Sequence, residues 1–390
     1  MKKWNPWWVY GGVPPERLGV ERSALLEGLL RFLDAREIVA VTGVRRGGKS
    51  TMLYQLINEL LSRDVPPENI FYFNFDEPAV ERGVDVLEGV YESFLELNNP
   101  QGRQYLLFDE IQNVSEWERW VKTQYDLQGG KLKFYVTGSN TSMLSDSLAR
   151  LLTGRMFSQE IYPLSFREYL KFKEFRLKDL DFQREEVKHH LHNYMEYGGF
   201  PEAVLDENQE LNRQRLGEYF NSILFRDIVA TRKIKESMKL AELSHYLATN
   251  TATLFSYNKI SKNISLNINT LKEYIHYLQQ AYLVFQINHF SYSLKESIAT
   301  QKPKKTYFID NGMRNAVAAR HARDVGRLAE NLVYLELKRR GLEVYFWKGK
   351  NEVDFITKDR DASLTAINVT YGETIKLREL KGLNEFRENH

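Results

Sequence analysis

The sequence predicts an α/β protein whose front third is a mainly parallel sheet flanked by helices, followed by a helical segment and two smaller domains. Three observations predict it. Short apolar runs at Ile38–Val41, 69–75, Tyr105–Phe108 and 131–138 recur, with the helical pattern "TMLYQLINELLS" after the first. A Gly-rich loop joins that first run to its helix. The chain has 390 residues, 43% hydrophobic and 27% charged, too many for one ordinary core and typical of globular domains.

Composition removes several classes. No apolar run reaches eighteen residues, so a membrane span and a membrane partner are not expected. The N-terminus "MKKWNPWWVYGG" starts like a signal peptide but is broken by Pro6 and its aromatics, without a small-residue cleavage site. With no cysteines there is no disulfide, thiol catalysis or cysteine-ligated zinc, and the cytoplasm is the expected location. Net charge is only +2, yet residues 291–350 hold thirteen Lys/Arg against six Asp/Glu, a local excess suited to phosphate.

The loop is "GVRRGGKST", residues 43–51. Gly43, Gly47 and Gly48 let it curl, so that the backbone N–H groups of Val44, Arg45, Arg46 and their neighbours point at phosphate oxygens. Lys49 reaches the β/γ-phosphates, and Ser50, followed by Thr51 at the helix start, holds Mg²⁺. The expected ligands are therefore ATP and Mg²⁺. Arg45 and Arg46 face the surface with no further role assigned. In "QYLLFDEIQNV" an apolar strand ends in Asp109, expected to bind Mg²⁺ through water, and Glu110, expected to orient the attacking water as general base. "KLKFYVTGSN" ends in Thr137, Ser139 and Asn140, polar residues placed to sense the γ-phosphate. The run at 69–75 lies between loop and Asp109 in the chain, leaving room for one strand between them in the sheet. Arg155 in "LLTGRMF" follows a further helix and is expected to act as an arginine finger for a neighbouring subunit or as a sensor in cis, with a structural ion pair as the alternative. A trans-acting Arg155 requires a homo-oligomer.

"WNPWW", "TGVRRGGKST", "LLFDEIQNV", "VTGSN", "LTGR…YPLSFREYL", "YGGFPEAV" and "LFRDIV" follow one another here as in archaeal and bacterial AAA-type ATPases, which this chain resembles over nearly its whole length. The resemblance implies a P-loop NTPase domain, a winged-helix segment and a restriction-endonuclease-like C-terminal domain. It also implies an ATP-hydrolysing core joined to a DNA-associated tail. The expected function is ATP hydrolysis coupled to DNA processing or remodelling, with DNA and a DNA-processing protein as partners. The boundaries read from the sequence are 1–165 for an N-terminal strap plus ATPase domain, 166–237 for a helical linker, 238–300 for the winged helix and 301–390 for the nuclease-like domain. Trp7 and Trp8 are read as anchors of the strap, with a wall of the adenine site as the alternative. "YGGFP" is read as a structural turn between helices.

Residues 240–291 have helix-turn-helix spacing: Leu240, Leu243 and Leu247, then "YNKISKNI", then Leu271, Tyr274, Ile275 and Leu278, then the apolar run "YLVFQINHF". Asn267, Asn269, Thr270 and Lys272 lie at the start of the third helix, the end that enters a major groove. Lys259, Lys262, Lys302, Lys304 and Lys305 are expected at DNA phosphates. A packing role among proteins is the alternative for this module.

In the tail, a helix at 326–341 and the strands "LEVYFWKG", "NEVDFIT" and "SLTAINVT" give the order of a nuclease core. Glu330 and Asp354 stand at metal positions, but Asn368 and Thr370 replace the acid and lysine such a site needs. The expectation is a nuclease fold that binds DNA without cutting it. Glu352 or Lys358 would have to stand in for an active ATP-dependent nuclease, and a switch ATPase with a protein partner is the other alternative. The end "EFRENH" comes earlier than the resemblance implies, consistent with a truncated tail.

Overall fold

A computed structural model describes residues 1–79, 82–140, 152, 154–293, 302–319, 325–359, 361, 363–372, 374–375, 377–389. The helix expected between Asn140 and Arg155 lies outside the described residues. The chain divides into two compact units, Met1–Ile161 and Tyr162–His390.

The first unit is built on five parallel strands, β1 (Ile38–Gly43), β2 (Ile70–Asn74), β3 (Gln104–Asp109), β4 (Leu132–Gly138) and β5 (Met156–Ile161), in the order β2-β3-β4-β1-β5. Alternation decides where each side chain goes. Ile38 and Ala40 join one core with Phe71, Leu106, Phe134 and helices Asp85–Asn98 and Trp117–Leu127. Val39 and Val41 join the other, against helix Lys49–Ser62. Covered on both faces, β1 and β4 are buried along their whole length, which is why they read as unbroken apolar runs. One strand does separate the P-loop strand from β3, and it is β4. The run at 69–75 becomes the edge strand β2.

That edge is covered by the N-terminal segment. Asn5 pairs with the β2 backbone in both directions, its Nδ2 donating to Tyr72 O at 3.0 Å and its Oδ1 accepting from Tyr72 N at 2.7 Å. The Trp7 and Trp8 indoles both donate to Ile70 O, at 3.0 and 2.9 Å, and Trp8 stacks on Phe71 and Phe94. These contacts satisfy an open strand edge and place both tryptophans three strands away from β1. The adenine-wall alternative is corrected accordingly.

In the second unit, "LSFRE" forms a capping box: Ser165 Oγ accepts from Glu168 N at 3.3 Å while Glu168 Oε2 accepts from Ser165 N at 2.8 Å, starting helix Phe166–Phe172. "LFRDIV" lies in a π-helix, Ser222–Ala230. The "YGGFP" turn is clamped by Asp310, whose Oδ2 accepts from Gly199 N at 2.7 Å and whose Oδ1 caps helix Asn311–Val317 through Met313 N at 2.8 Å. A Cβ on Gly312 would stand 2.1 Å from Tyr197 O, so glycine is required there.

Residues 237–308 run helix Ser237–Thr249, β6 (Leu254–Phe255), helices Tyr257–Asn263 and Ile268–Gln280, β7 (Val284–Ile287), β8 (Lys304–Phe308). The three strands form an antiparallel sheet in the order β6-β8-β7. Helix Val325–Arg339 is followed by the antiparallel sheet β11-β10-β9, made of β9 (Glu343–Lys348), β10 (Glu352–Lys358) and β11 (Leu364–Ile367), and by helix Leu377–Asn389. Ile287 and Tyr307 share one core with Tyr334, Leu335, Phe346 and Phe355. The boundary expected at 300 therefore runs between strands of one sheet and through one core, because β8 completes the sheet that β6 and β7 begin. Among the described residues no helix is long and apolar enough to cross a membrane.

Candidate active site at the ends of the parallel strands

The loop after β1 has the shape of a phosphate cradle. Gly43 takes φ 146° and Gly48 φ 99°, values that favour glycine, and a Cβ on Gly43 would meet Ile161 O at 2.1 Å. Arg46 also holds a positive φ, 67°, and is exposed, whereas Arg45 is half-buried and 3.8 Å from Asp76. Val44 and Gly47 are buried, with Ser50 and Thr51 half-buried in the first turn of the helix. Arg22 fixes the loop from outside, donating to Gly47 O at 3.1 Å. Gln55 ties the same segment to the helix by donating to Leu18 O at 2.7 Å and Val20 O at 3.1 Å.

Lys49 is 4% exposed. Its ammonium donates to Gly43 O at 3.1 Å and Val44 O at 3.2 Å and lies 3.6 Å from Glu110 Oε1. Glu110, at φ 51°, also accepts from Gln112 Nε2, and Gln112 in turn reaches Ser139 Oγ at 3.5 Å. Burial works against the Glu110 carboxylate, but Lys49, then Gln112 and Arg45, outweigh it and hold its pKa below the ordinary value.

Asp109 is fully buried. Tyr72 donates its hydroxyl to Oδ2 at 2.8 Å, Thr137 donates to Oδ1, and the Ser50 side chain is a further hydrogen-bond partner. Burial, and then the neighbouring Glu110 charge, still push its carboxyl up. A buried acid short of positive charge, hydrogen-bonded to a hydroxyl at the helix start, fits a hard divalent cation with oxygen ligands.

The P-loop residues, Asp109, Glu110 and Ser139 thus gather where the sequence places them, and Asn140 follows Ser139 beyond the end of β4, half-buried. Arg155 does not join them. It precedes β5, and its carbonyl accepts from Ile38 N at 2.8 Å at the opposite end of β1, about 17 Å from Gly43 by strand rise. Its guanidinium pairs with Asp126 at 3.4 Å and lies over the Tyr125 ring. That placement keeps the guanidinium away from the P-loop of the same chain, in the ion pair that the alternative reading expects.

Sequence reading missed Tyr72, Gln112 and Arg22. Gln112 carried a faint signal, two residues after Glu110. Tyr72 and Arg22 carried none, because only the sheet order and the fold of the N-terminal segment bring them close.

The nucleic-acid candidates divide. Asn267 and Asn269 are exposed at the start of helix Ile268–Gln280, where Asn267 Oδ1 caps by accepting from Asn269 N at 2.8 Å. Lys272 is half-buried beside Tyr257, and Lys302 is half-buried. Lys304 bonds to Asn288 Oδ1. Lys305 is 1% exposed and faces inward, which corrects its assignment as a phosphate contact.

In the tail, Asn368 is turned to the backbone, its Oδ1 accepting from Asp354 N at 2.9 Å and its Nδ2 donating to Glu379 O at 2.8 Å. Thr370 and Lys358 are exposed.

The five-stranded parallel sheet, the glycine cradle and the Asp109–Glu110 pair two strands away define an AAA-type P-loop ATPase domain. Comparisons agree. Residues 35–170 match the family described as AAA domain, 188–324 the Domain of unknown function (DUF8612), and 325–390 the Domain of unknown function (DUF4143). An uncharacterized protein of Methanocaldococcus jannaschii is 34% identical over 362 residues, covering 90% of this chain and 78% of its own. An uncharacterized protein of Haemophilus influenzae is 30% identical over 379 residues, covering 95% and 92%. A Walker-type ATPase of Pyrococcus abyssi shares the fold with a TM-score of 0.51 at 12% identity, over 76% of this chain and 95% of that one. The chain belongs to the family of the Methanocaldococcus jannaschii and Haemophilus influenzae proteins, with the AAA domain at its front.

Proposed function

We propose that this protein binds and hydrolyses ATP at the P-loop and couples turnover to DNA held by its second unit. The observation that carries the hydrolytic half is the buried Lys49–Glu110 pair at 3.6 Å, flanked by the loop carbonyls and by Asp109. Lys49 exchanges Glu110 and the loop carbonyls for phosphate oxygens. Relieved of its counter-ion, Glu110 accepts the proton of the attacking water, with Gln112 and Ser139 fixing the carboxylate's direction. Asp109 and Ser50 are the residues that would hold Mg²⁺, whose bound charge offsets that of the phosphates. The Gly43–Gly48 backbone cradles the phosphates.

The DNA half is supported by chain order. Among the described residues of 237–308 the order helix, strand, helix, helix, strand, strand fits a winged helix. Its third helix presents Asn267 and Asn269 at an exposed N-terminal end. The helix–three-strand order from Val325 supports a nuclease-like domain in a non-cutting, binding role.

Phosphate release from ATP with Mg²⁺, measured with and without linear, branched and single-stranded DNA, tests both halves. Turnover that DNA raises and Lys49→Ala abolishes is expected. No turnover in wild type sinks the hydrolytic half. Turnover without any DNA binding in low salt replaces the DNA half with a nucleotide-gated protein partner.

A further inference from the structure

Lys305 is at the centre of a buried charge cluster in the second unit. Lys305 and Tyr307 are two apart on β8, so they project from the same face. That face meets Glu330 of helix Val325–Arg339 and Glu352 and Asp354 of β10. The Lys305 ammonium lies 2.9 Å from Glu330 Oε1, 2.8 Å from Glu352 Oε1 and 3.3 Å from Asp354 Oδ1.

The carboxylates are further occupied by protein donors. Tyr307 donates to Glu330 Oε1 at 2.7 Å, Val369 N donates to Asp354 Oδ2 at 2.9 Å, and Lys348 lies 3.1 Å from Glu352 Oε2. Mg²⁺ needs oxygens near about 2.1 Å in octahedral array. Here the three carboxylates converge instead at hydrogen-bond distance on a nitrogen. Among the described residues no group of three or more His, Asp or Glu side chains could hold a metal ion.

We propose that Lys305 is a built-in cation: its ammonium takes the place among Glu330, Glu352 and Asp354 that a divalent metal takes in an acidic site of this kind. The tail therefore works without a metal of its own, and its acids serve to fasten β8 to helix Val325–Arg339 and β10. Electrostatics agree with the geometry. Burial alone would discharge Lys305, but Glu330, Asp354 and Glu352 outweigh it and keep the ammonium charged. The same device accounts for Asn368 and Thr370, since a cluster whose central position is filled from β8 has no use for an acid and a lysine just after β11. It does not depend on ATP hydrolysis.

Mn²⁺ binding to the nucleotide-free full-length chain, read from the EPR signal of unbound Mn²⁺, tests it. Wild type and Asp354→Asn are expected to bind Mn²⁺ alike. Lys305→Ala is expected to gain a site about tenfold or more tighter than any in wild type, lost again in Lys305→Ala/Asp354→Asn. Mn²⁺ bound by wild type and lost in Asp354→Asn overturns the proposal, as does a folded Lys305→Ala that gains nothing. The wild-type against Asp354→Asn comparison decides even where Lys305→Ala fails to fold.

Discussion

Replacing Glu110 by Gln probes the nucleotide site through two quantities that move separately. In the nucleotide-free protein Glu110 is the counter-ion of a lysine that is 4% exposed. At an effective dielectric of about 20, unit charges 3.6 Å apart attract by about 4–5 kcal/mol. Part of that is recovered because the substituted amide carries no charge to desolvate and still accepts a hydrogen bond. A net loss of about 1–3 kcal/mol remains for the empty protein. Phosphate supplies Lys49 with the missing counter-charge, so nucleotide binding offsets the loss. Removing the general base costs turnover about 10²–10⁴-fold. Phosphate release and thermal unfolding with and without a non-hydrolysable ATP analogue measure both. The expected result is slow turnover, a lower melting temperature without nucleotide, and a larger upward shift with it than wild type shows. Turnover within about twofold of wild type would refute the assignment of Glu110.

Gly312→Ala should destabilise the second unit by about 3 kcal/mol, the upper end for overpacking, because its Cβ meets backbone at 2.1, 2.3 and 2.7 Å. Chemical denaturation followed by fluorescence would read it, and a variant as stable as wild type would contradict the clamp. Burial pushes the Glu330 carboxyl from 4.5 up to about 7, against the pull of Lys305. The folded state then holds a proton that the unfolded chain releases between these values, so this group's contribution falls as pH rises through that window. Glu330→Gln should flatten that segment of the stability–pH curve by on the order of 1–3 kcal/mol, checked by denaturant midpoints from pH 4.5 to 7.5. Below that window the same variant keeps the fall expected from Glu352, which Lys305 holds below its ordinary value despite burial. Asn269→Ala and Lys272→Ala should weaken duplex binding while leaving DNA-free ATP turnover unchanged, with wild-type affinity dropping steeply as salt rises; equal binding by the variants would remove helix Ile268–Gln280 from the interface.

The nucleotide site was legible because each of its parts is local. Residues 43–51 form one loop, Asp109 and Glu110 end one strand, and Ser139 ends another. Strands of a parallel sheet all finish at the same side, so residues read separately at strand ends must converge. Direction along the sheet is what Arg155 lacked. A motif placed before a strand lies at the far end, and "LTGRMF" does not say on which side of its strand the arginine falls until β5 is seen to begin at Met156. The helical spacing at Leu240, Leu243, Leu247 and Leu271 was likewise periodic, and those residues are buried.

Periodicity names the face of a strand but not what that face meets. Nothing local distinguishes Lys305 from Lys302 or Lys304 in "QKPKKTYF", three lysines that read as one basic patch. Tertiary structure turned Lys305 inward because β8 pairs with β7 on one side and β6 on the other, setting its register so that alternate residues face Glu330 and β10. The chain's own letters determined the ATPase core, whose chemistry rides on contiguous loops. Only the folded molecule decided which lysine is a surface charge and which is an internal cation, since that depends on acids 25 and 49 residues away along the chain.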